Sequence, residues 1–367
     1  MIEVPYVDIS SQWQDERNEL IPILDAVLET GQYVGGLEVE NFEREAASLF
    51  DVGHVVALNS GTDALVYGLA AIGIGQGDEV ITPPNSFISS TAAIVKLGAK
   101  PVFVDVTPDQ NIDPSLIEAA ITPHTKAIMP VHLTGRMADM LEIHQLADRH
   151  RIPIIEDAAQ AAGSLLHSRP SGSWGTVGCF SAHPLKNLNA CGDAGFITTN
   201  NPEIANKVRL MRNHGLVDRD TVNQFGCVSR MDEVQAAILR YRLKRLPTII
   251  ERRRSNVELY RSILDKSFVF NPLDKQSEFN SWHTFVIQVD RRNQLQQFLL
   301  SRRIQTAVHY PVPIHLQPAC RHLGYKIGDF PVTEKQATKI LTLPVHQYLT
   351  ESQLHWVAKS VNEFVGA

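Results

Sequence analysis

Short apolar runs rich in β-branched residues alternate with amphipathic stretches between about residues 52 and 200. This alternation is typical of βαβ units, which build a mostly parallel sheet with helices on both faces. We expect crossover helices at 61–72 and 137–149, because apolar residues recur there every three or four positions. The expected strands lie at 54–58, 79–82, 101–104, 126–131, 152–156, 178–181 and 195–199.

The pattern becomes predominantly helical on both sides of this region. Residues 12–30 and 38–50 are predicted to form two amphipathic helices separated by a Gly-containing turn. After residue 230, a long helical stretch leads to Pro247, where we expect the helix to stop because proline lacks a backbone N–H. A charged helix over 249–265 is expected to follow.

The C-terminal part predicts a small α+β layer. Its expected elements are strands at 283–289 and near 306–310, and helices near 291–302 and 351–364. The sequence therefore predicts an α/β protein with two domains. These are a large domain with a mostly parallel seven-stranded sheet over 1–247 and a smaller α+β domain over 248–367.

Composition excludes several classes of protein. The 367 residues are 44% hydrophobic and 20% charged, and the net charge is -6. Nucleic acid is not an expected partner, because DNA binding needs a basic excess, and the run Arg252–Arg254 is expected to be a solvated helix face. Four scattered cysteines without a C-x-x-C pair predict neither disulfides nor a metal site. With no signal-like or membrane-spanning run, we expect a cytoplasmic protein without a membrane partner.

The segments that follow the strands are the candidate site, because ligands of open parallel sheets bind at the carboxyl ends of the strands. Residues 59–64 (NSGTDA) follow the first strand and begin a helix, whose free N–H groups and dipole favour a phosphate. Ser60 or Thr62 could equally be an ordinary helix cap. Asp157 ends a buried strand, where a carboxylate needs a partner such as a pyridinium nitrogen; an N-cap or a Mg²⁺ ligand is the alternative.

A lysine occupies the loop that follows the strand at 178–181. Burial would make the Lys186 amine a Schiff-base nucleophile, although a single lysine is usually a solvated surface charge. Ser181 would add a hydroxyl to a phosphate site, and His183 is either an acid–base group or a structural histidine. Phe87 follows the strand at 79–82 and would either stack on a flat ring or pack in the core. Signatures of dehydrogenases, P-loop NTPases, zincins and α/β-hydrolases are absent from the sequence.

Together these segments resemble the sugar aminotransferases of pyridoxal-phosphate (PLP) fold type I, of the DegT/DnrJ/EryC/StrS type. Members of that family make amino sugars for surface polysaccharides and antibiotics. The resemblance covers almost the whole chain and rests on nine segments in register. They are NSGTDAL (59–65), GDEVITPP (77–84), KPVFVDV (100–106), PVHLTGR (130–136), IEDAAQA (155–161), FSAHPLKNLNACGDAG (180–195), RNHG (212–215), SRMDEVQAA (229–237) and HYPVPIHLQPA (309–319).

The resemblance implies roles for particular residues. Lys186 would form the Schiff base with PLP, Asp157 would pair with the pyridine nitrogen, and Gln160 would lie near the ring hydroxyl. The phosphate would be held by Gly61, Thr62 and Ser181, and Phe87 would stack on the ring. The substrate residues implied are His183, His309, Tyr310, His315 and Gln317.

The resemblance also implies a two-stage reaction in a homodimer. L-glutamate would convert PLP to pyridoxamine phosphate, which would then aminate a keto sugar carried by a nucleotide. Lys186 would move the proton between cofactor and substrate. The run K-N-L-x-x-x-G-D-x-G is similar to that of the branch that acts on C3 of a 3-keto sugar nucleotide, whereas members that act on C4 tend to carry a different glycine pattern.

Three positions depart from the family pattern. His183 stands where many relatives have an aromatic residue, and Thr134 replaces a frequent tyrosine. Val228 replaces the asparagine that in the family usually reaches the phosphate of the neighbouring subunit, so that contact would either come from another residue, such as Asn223, or be absent.

Three alternatives are a PLP-dependent sugar dehydratase, a PLP-binding regulator without turnover, and a cyclitol aminotransferase, which would carry the same cofactor motifs. The resemblance favours transamination over dehydration, because the dehydratases of the family carry histidine in place of the lysine. The absence of an added helix-turn-helix counts against a DNA-binding regulator.

Overall fold

The computed structural model describes residues 2–366, which form eleven α-helices within that range. None of the helices in this part of the chain has the length and apolar character that crossing a bilayer requires. Short 3-10 turns lie at Glu118–Ala120, Leu133–Gly135, Ile314–Leu316 and Pro318–Leu323. The α-helices are α1 (Ile9–Glu29), α2 (Leu37–Leu49), α3 (Gly61–Ala71), α4 (Ile88–Lys96), α5 (Pro114–Ile117), α6 (Met140–His150), α7 (Pro202–Met211), α8 (Glu233–Ile263), α9 (Arg292–Ser301), α10 (Pro331–Lys339) and α11 (Glu351–Val365).

Seven strands build the large sheet, and five shorter or C-terminal strands lie outside it. The seven are β1 (His54–Leu58), β2 (Glu79–Thr82), β3 (Lys100–Phe103), β4 (Thr125–Ile128), β5 (Ile155–Asp157), β8 (Val177–Ser181) and β9 (Gly195–Thr199). The others are β6 (Leu165–Leu166), β7 (Arg169–Pro170), β10 (Glu278–Phe279), β11 (Phe285–Gln288) and β12 (Ile340–Leu343).

The large sheet is assembled from two sections. One has the order β1-β9-β8-β5 and the other β3-β2-β4. Parallel bridges from Ile128 to Ile154 and from Val131 to Asp157 join β4 to β5. Only β9 runs antiparallel to its neighbours, β1 and β8. The predicted mostly parallel seven-stranded sheet is therefore confirmed.

Helices cover both faces of this sheet. On one face, α3 buries Leu65 and Leu69 in a cluster that includes α4, α7 and the strands, as the spacing predicts. On the other face, Phe42 of α2 and Leu239 of α8 pack against Phe180 and Phe196. The interleaved helices thus bury the sheet on both sides and leave the ends of its strands open for a site.

The predicted helix stop at Pro247 is wrong. Helix α8 continues through Pro247 to Ile263 as a single 31-residue helix. Leu246 and Ile250, one on each side of the proline, are buried in the cluster formed with α2 and the sheet. Packing on both sides therefore outweighs the cost of proline in a helix interior, which is about 3 kcal/mol because the N–H is missing and the ring clashes with the preceding turn. The division of the chain at 247/248 stays a prediction, and this helix runs across it.

The predicted strand near 306–310 is also wrong. Within this segment Ala307 makes a single bridge, to Thr342, and no strand forms. The antiparallel partner of β11 is β12, which directly follows α10. Residues 283–289 and 351–364 form the predicted strand and helix with slightly shifted ends. Val4, near the N-terminus, pairs with Ile304 and packs in this C-terminal layer.

A buried ion pair joins α1 to α8. The Arg242 guanidinium donates from Nε and Nη2 to one oxygen of Glu16, at 2.8 and 2.6 Å. Arg242 also donates to the backbone oxygen of Asn189, at 2.8 Å, and Gln12 exchanges amide hydrogen bonds with Asn189, at 3.0 Å. The network therefore connects two helices to the loop between β8 and β9, which carries Lys186.

We predict that Glu16→Gln lowers the free energy of unfolding by about 3 to 5 kcal/mol, because it leaves a buried guanidinium without its counter-ion. Urea denaturation of the purified protein measures this change. Asp15→Asn is the matched control, since it breaks an exposed α1–α8 pair with Arg245 and should cost less than about 1 kcal/mol. A similar loss in both variants would contradict the role of burial.

Candidate active site

A cavity of about 410 Å³ lies at the end of β5 and β8, beside the N-terminus of α3. Ten of the twelve residues singled out in the sequence line it, although they are spread over 250 positions of the chain. They are Gly61, Thr62, Phe87, Asp157, Gln160, Ser181, His183, Lys186, His309 and Tyr310. The sheet edge therefore brings together the predicted cofactor residues, whose individual roles stay predictions.

The start of α3 forms one end of the cavity. The Ser60 hydroxyl accepts from the amide of Asp63, at 3.1 Å, so Ser60 is the helix cap. The amides of Gly61 and Thr62 have no acceptor among residues 2–366, and the Thr62 hydroxyl lies 3.0 Å from that of Ser89. Free amides, hydroxyls and the helix dipole at one point fit the phosphate of PLP.

Two glycines bring this helix start close to the sheet. A Cβ atom on Gly61 would lie 2.5 Å from the Cβ of Ser181. A Cβ on Gly195 would lie 2.3 Å from the carbonyl carbon of Ser60. Any larger residue at either position would push α3 away from β8 and β9, so the phosphate cradle requires both glycines.

Asp157 presents a buried carboxyl to the cavity. The Ser90 hydroxyl donates to its Oδ2 at 2.6 Å, and the amide of Ala159 donates to its Oδ1 at 3.2 Å. Burial raises the pKa of this carboxyl, while the two hydrogen bonds and the positive charge of Lys186 act in the opposite direction. A protonated pyridine nitrogen against Oδ1 or Oδ2 would favour the ionised form, so the residue fits the ring of PLP.

The neighbouring Glu156 points away from the cavity. Its carboxylate accepts from the amides of Gly172, at 2.8 Å, and Gly175, at 2.6 Å. The His132 ring accepts from the amide of Ala138 at Nδ1, so its Nε2 carries the proton and donates to Glu156 at 2.9 Å. Glu156 therefore has a structural role, and of the two adjacent acids only Asp157 faces the cavity.

Lys186 lies in the loop between β8 and β9. Burial lowers the pKa of its amine to about 8, while the negative charge of Asp157 acts to raise it. The loop is closed at its base by the hydrogen bond from the amide of Ala190 to the carbonyl of Ala182, at 2.8 Å. Lys186 is thus a desolvated amine on a fixed loop, as a Schiff-base nucleophile requires.

Gln160, Tyr310 and Phe87 form an adjoining wall. The Gln160 side-chain oxygen accepts from the backbone amide of Thr134, at 2.8 Å, and its amide group donates to the Tyr310 hydroxyl, at 3.4 Å. Since the backbone of Thr134 makes this contact, it does not depend on the tyrosine that relatives carry there. The rings of Phe87 and Tyr310 are 5.7 Å apart between centroids, and Phe87 is half-exposed.

Four histidines line the cavity, His183, His283, His309 and His346, and sequence reasoning missed His283 and His346. Burial lowers the pKa of His283 well below its usual value, and the positive charges of Lys186 and Arg253 lower it further. Burial lowers the pKa of His309 to about 4, and its Nδ1 lies 2.9 Å from the Thr342 hydroxyl. These two rings are therefore neutral at physiological pH.

Two predicted substrate residues do not line the cavity. The ring of His315 is buried beside Phe330, and its Nε2 lies 3.1 Å from Glu334. The side chain of Gln317 donates to the carbonyl of Val312, at 3.4 Å. Their contact with a substrate stays a prediction. Val228 is half-exposed and does not line the cavity.

The expectation that Arg252–Arg254 is a solvated helix face is wrong for its central residue. Arg253 is buried and lines the cavity, whereas Arg252 is exposed. Successive residues of an α-helix point about 100° apart, so three in a row cannot share one face. The 100° step between consecutive residues, together with the apolar residues on both sides of the run, was the sequence signal that one of the three arginines is buried.

The profile of the DegT/DnrJ/EryC1/StrS aminotransferase family matches residues 14–362. The chain belongs to this family. It is 40% identical over 367 residues to a Geobacillus stearothermophilus protein named pleiotropic regulatory protein, with 99% of each chain covered. It is 39% identical over 363 residues to the dTDP-3-amino-3,4,6-trideoxy-alpha-D-glucose transaminase of Streptomyces venezuelae, with 98% of this chain and 96% of that protein covered.

A solved structure agrees over the whole chain. It is that of S. venezuelae DesV in complex with a ketimine intermediate, with a TM-score of 0.98, 39% identity and complete coverage of both chains. Family membership and this likeness confirm the predicted PLP fold type I and the PLP-dependent aminotransferase class. The phosphate cradle, the Asp157 carboxyl and the Lys186 amine are the features of this chain that fit the cofactor.

We predict that PLP attaches to Lys186 with a rate that rises with pH through a midpoint near 8 and levels off about one pH unit higher. The neutral amine is the nucleophile, and burial lowers its pKa from 10.5 to about 8, so half of the amine is already reactive at that pH. Stopped-flow absorbance of the cofactor-free protein mixed with PLP between pH 6 and 10 measures the rate. Asp157→Asn should move the midpoint to lower pH, because it removes the charge that raises the pKa of Lys186. A rate that keeps rising to pH 10 would show an ordinary, solvated lysine.

Proposed function

We propose that this protein is a homodimeric aminotransferase that transfers the amino group of L-glutamate to the C3 keto carbon of a nucleotide-linked sugar. The observation that carries the proposal is the convergence of the Lys186 amine, the Asp157 carboxyl and the free amides of α3 on one cavity. These groups come from distant parts of the chain, and each suits a different part of one flat, phosphorylated ring.

Different residues of the cavity have different roles in the proposed reaction. Held by the free amides of α3, Asp157 and Lys186, PLP would supply the aldehyde group that carries the amino group from donor to ketone. Lys186 holds and moves the proton at its Nζ atom, since an amine with a pKa of about 8 can both accept and release a proton near neutral pH. Ser90 holds the Asp157 carboxyl in a fixed orientation through its 2.6 Å hydrogen bond.

Neutral polar groups on the remaining wall support a sugar as the amino acceptor. The Tyr310 hydroxyl and the rings of His283 and His309 can donate or accept hydrogen bonds without bringing a charge to the site. Sugar hydroxyls pair with groups of this kind, and an aromatic ring beside them packs against the C–H face of a sugar. The name of the S. venezuelae relative, a 3-amino sugar transaminase, agrees with amination at C3.

Transamination is favoured over dehydration by the lysine itself. A PLP-binding regulator would use the same buried amine and carboxyl to hold the cofactor, so turnover with glutamate is what distinguishes it from an enzyme. The family dehydratases have histidine at the position of Lys186. A cyclitol acceptor in place of the sugar remains distinguishable by assay with the two substrates.

The hairpin over 212–230 supports a dimer. Val217, Val222, Phe225 and Val228 project apolar side chains from it, and Phe225 is 99% exposed. The hairpin is internally fixed, for example by the hydrogen bond from the amide of Asn223 to the carbonyl of Gly215, at 3.0 Å. A fixed element that presents several apolar side chains to solvent is typical of a subunit contact.

We predict that the PLP-loaded protein, given L-glutamate without an acceptor, forms one equivalent of 2-oxoglutarate per active site. A dTDP- or UDP-linked 3-keto sugar then yields the 3-amino sugar, detected by mass spectrometry. Lys186→Ala should reduce both steps by about 10³-fold or more, because it removes the proton carrier. Lys207→Ala is the control, since Lys207 is bonded to backbone carbonyls outside the cavity. No 2-oxoglutarate from the wild type would refute the donor, and a product that has lost water would indicate a dehydratase.

We predict that Phe225→Asp weakens the dimer at least tenfold, because it replaces a large apolar contact with a charge. Light scattering during gel filtration over a range of concentrations measures the subunit mass. Ile327→Asp is the control, as Ile327 is 79% exposed in another part of the chain. Unchanged mass in the Phe225 variant at every concentration would exclude this hairpin as the contact.

A further inference from the structure

Arg253 is a buried cation on the cavity wall that the reaction described above does not use. It lies on α8 and is 7% exposed. Its Nη1 donates to the backbone carbonyls of Trp282, at 3.2 Å, and His283, at 3.1 Å. Its Nε is buried without an acceptor, and its Nη2 makes no hydrogen bond with residues 2–366. The side chain is therefore held by one nitrogen, with donor capacity left over.

Two of the three other arginines that are buried in the described residues differ from Arg253 in having a carboxylate partner. Arg242 pairs with Glu16 and Arg136 with Glu278, both at 2.6 Å. No carboxylate of residues 2–366 lies within 4.0 Å of the Arg253 guanidinium. Burial lowers the pKa of Arg253 to about 10, opposed only by the phenol of Tyr6. A buried guanidinium without a counter-ion is costly, and it is a strong binding site for a carboxylate that enters the cavity.

We propose that Arg253 binds a carboxylate of the amino donor. This inference rests on the proposed function, in which that donor is L-glutamate. Arg253 and Lys186 line the same cavity, and His283, whose backbone carbonyl accepts from Arg253, lines it as well. The guanidinium fork pairs with a carboxylate through two parallel hydrogen bonds, which a backbone carbonyl cannot accept.

The diphosphate of a nucleotide sugar is the other anion that could enter this cavity. In the donor, however, a carboxylate is attached directly to the carbon whose nitrogen is transferred. In the acceptor, ring atoms and an oxygen separate the keto carbon from the nearest phosphorus. An arginine that lines the same cavity as the reactive lysine is therefore better placed for the donor than for the diphosphate.

The test compares binding of two unreactive probes to the PLP-loaded protein by isothermal titration calorimetry. Glutarate represents the donor, and UDP represents the nucleotide. Arg253→Gln should weaken glutarate binding by about 10- to 100-fold, the effect of a charge-assisted pair, and leave UDP binding within about twofold. Arg292→Gln is the matched control, because Arg292 is also buried without a carboxylate but donates to Ala337 and Ile340 away from the cavity.

Each outcome decides the proposal. Unchanged glutarate affinity in Arg253→Gln, or no glutarate binding to the wild type, would overturn it. Loss of UDP affinity alone would assign Arg253 to the diphosphate instead. If Arg253→Gln does not fold, Arg253→Lys keeps the charge without the fork and should still weaken glutarate by about fivefold or more relative to UDP. The assay for 2-oxoglutarate tests the donor separately. Failure of the wild type in that assay would refute the proposed function, whereas normal turnover together with intact glutarate binding in an Arg253 variant would refute only the role of Arg253.

Discussion

The position of Lys186 depends on a buried polar network between two helices and one loop. The Glu16–Arg242 pair ties α1 to α8, and both helices then bind Asn189, three residues beyond the lysine. The Asn189 side chain in turn donates to the carbonyl of Pro184, at 2.8 Å, which closes the loop around Lys186. The amine can be desolvated because its loop is fixed from the side opposite the cavity.

Burial shifts the two central ionisable groups in opposite directions. It lowers the pKa of the Lys186 amine and raises that of the Asp157 carboxyl, and each charge partly offsets the effect on the other. An amine that is partly neutral near physiological pH and a carboxyl ready for a cationic partner are what a Schiff-base cofactor needs. One desolvated cavity therefore prepares both groups, which neither the loop nor the strand could do alone.

Sequence patterns predicted the sheet and the cofactor side of the cavity well, because both depend on local order. Strands 79–82 and 195–199 have the predicted ends, and the segments that follow the strands line the site. The errors arose where distant contacts decide the outcome. Packing of Leu246 and Ile250 carries α8 through Pro247. His283 reaches the cavity only because the C-terminal layer folds back onto the sheet.

The same cavity has to accept two different substrates in turn. A donor such as glutamate is anionic at the reacting end, whereas a keto sugar is neutral there. Among the residues that line the cavity, Arg253 and Lys186 are the only lysine or arginine side chains, and the buried rings of His283 and His309 are neutral. Neutral rings can hydrogen-bond to sugar hydroxyls without attracting the donor carboxylate to the wrong wall. Under the proposed function, the arrangement would separate recognition of charge, at Arg253, from recognition of hydroxyl groups, at the surrounding neutral side chains.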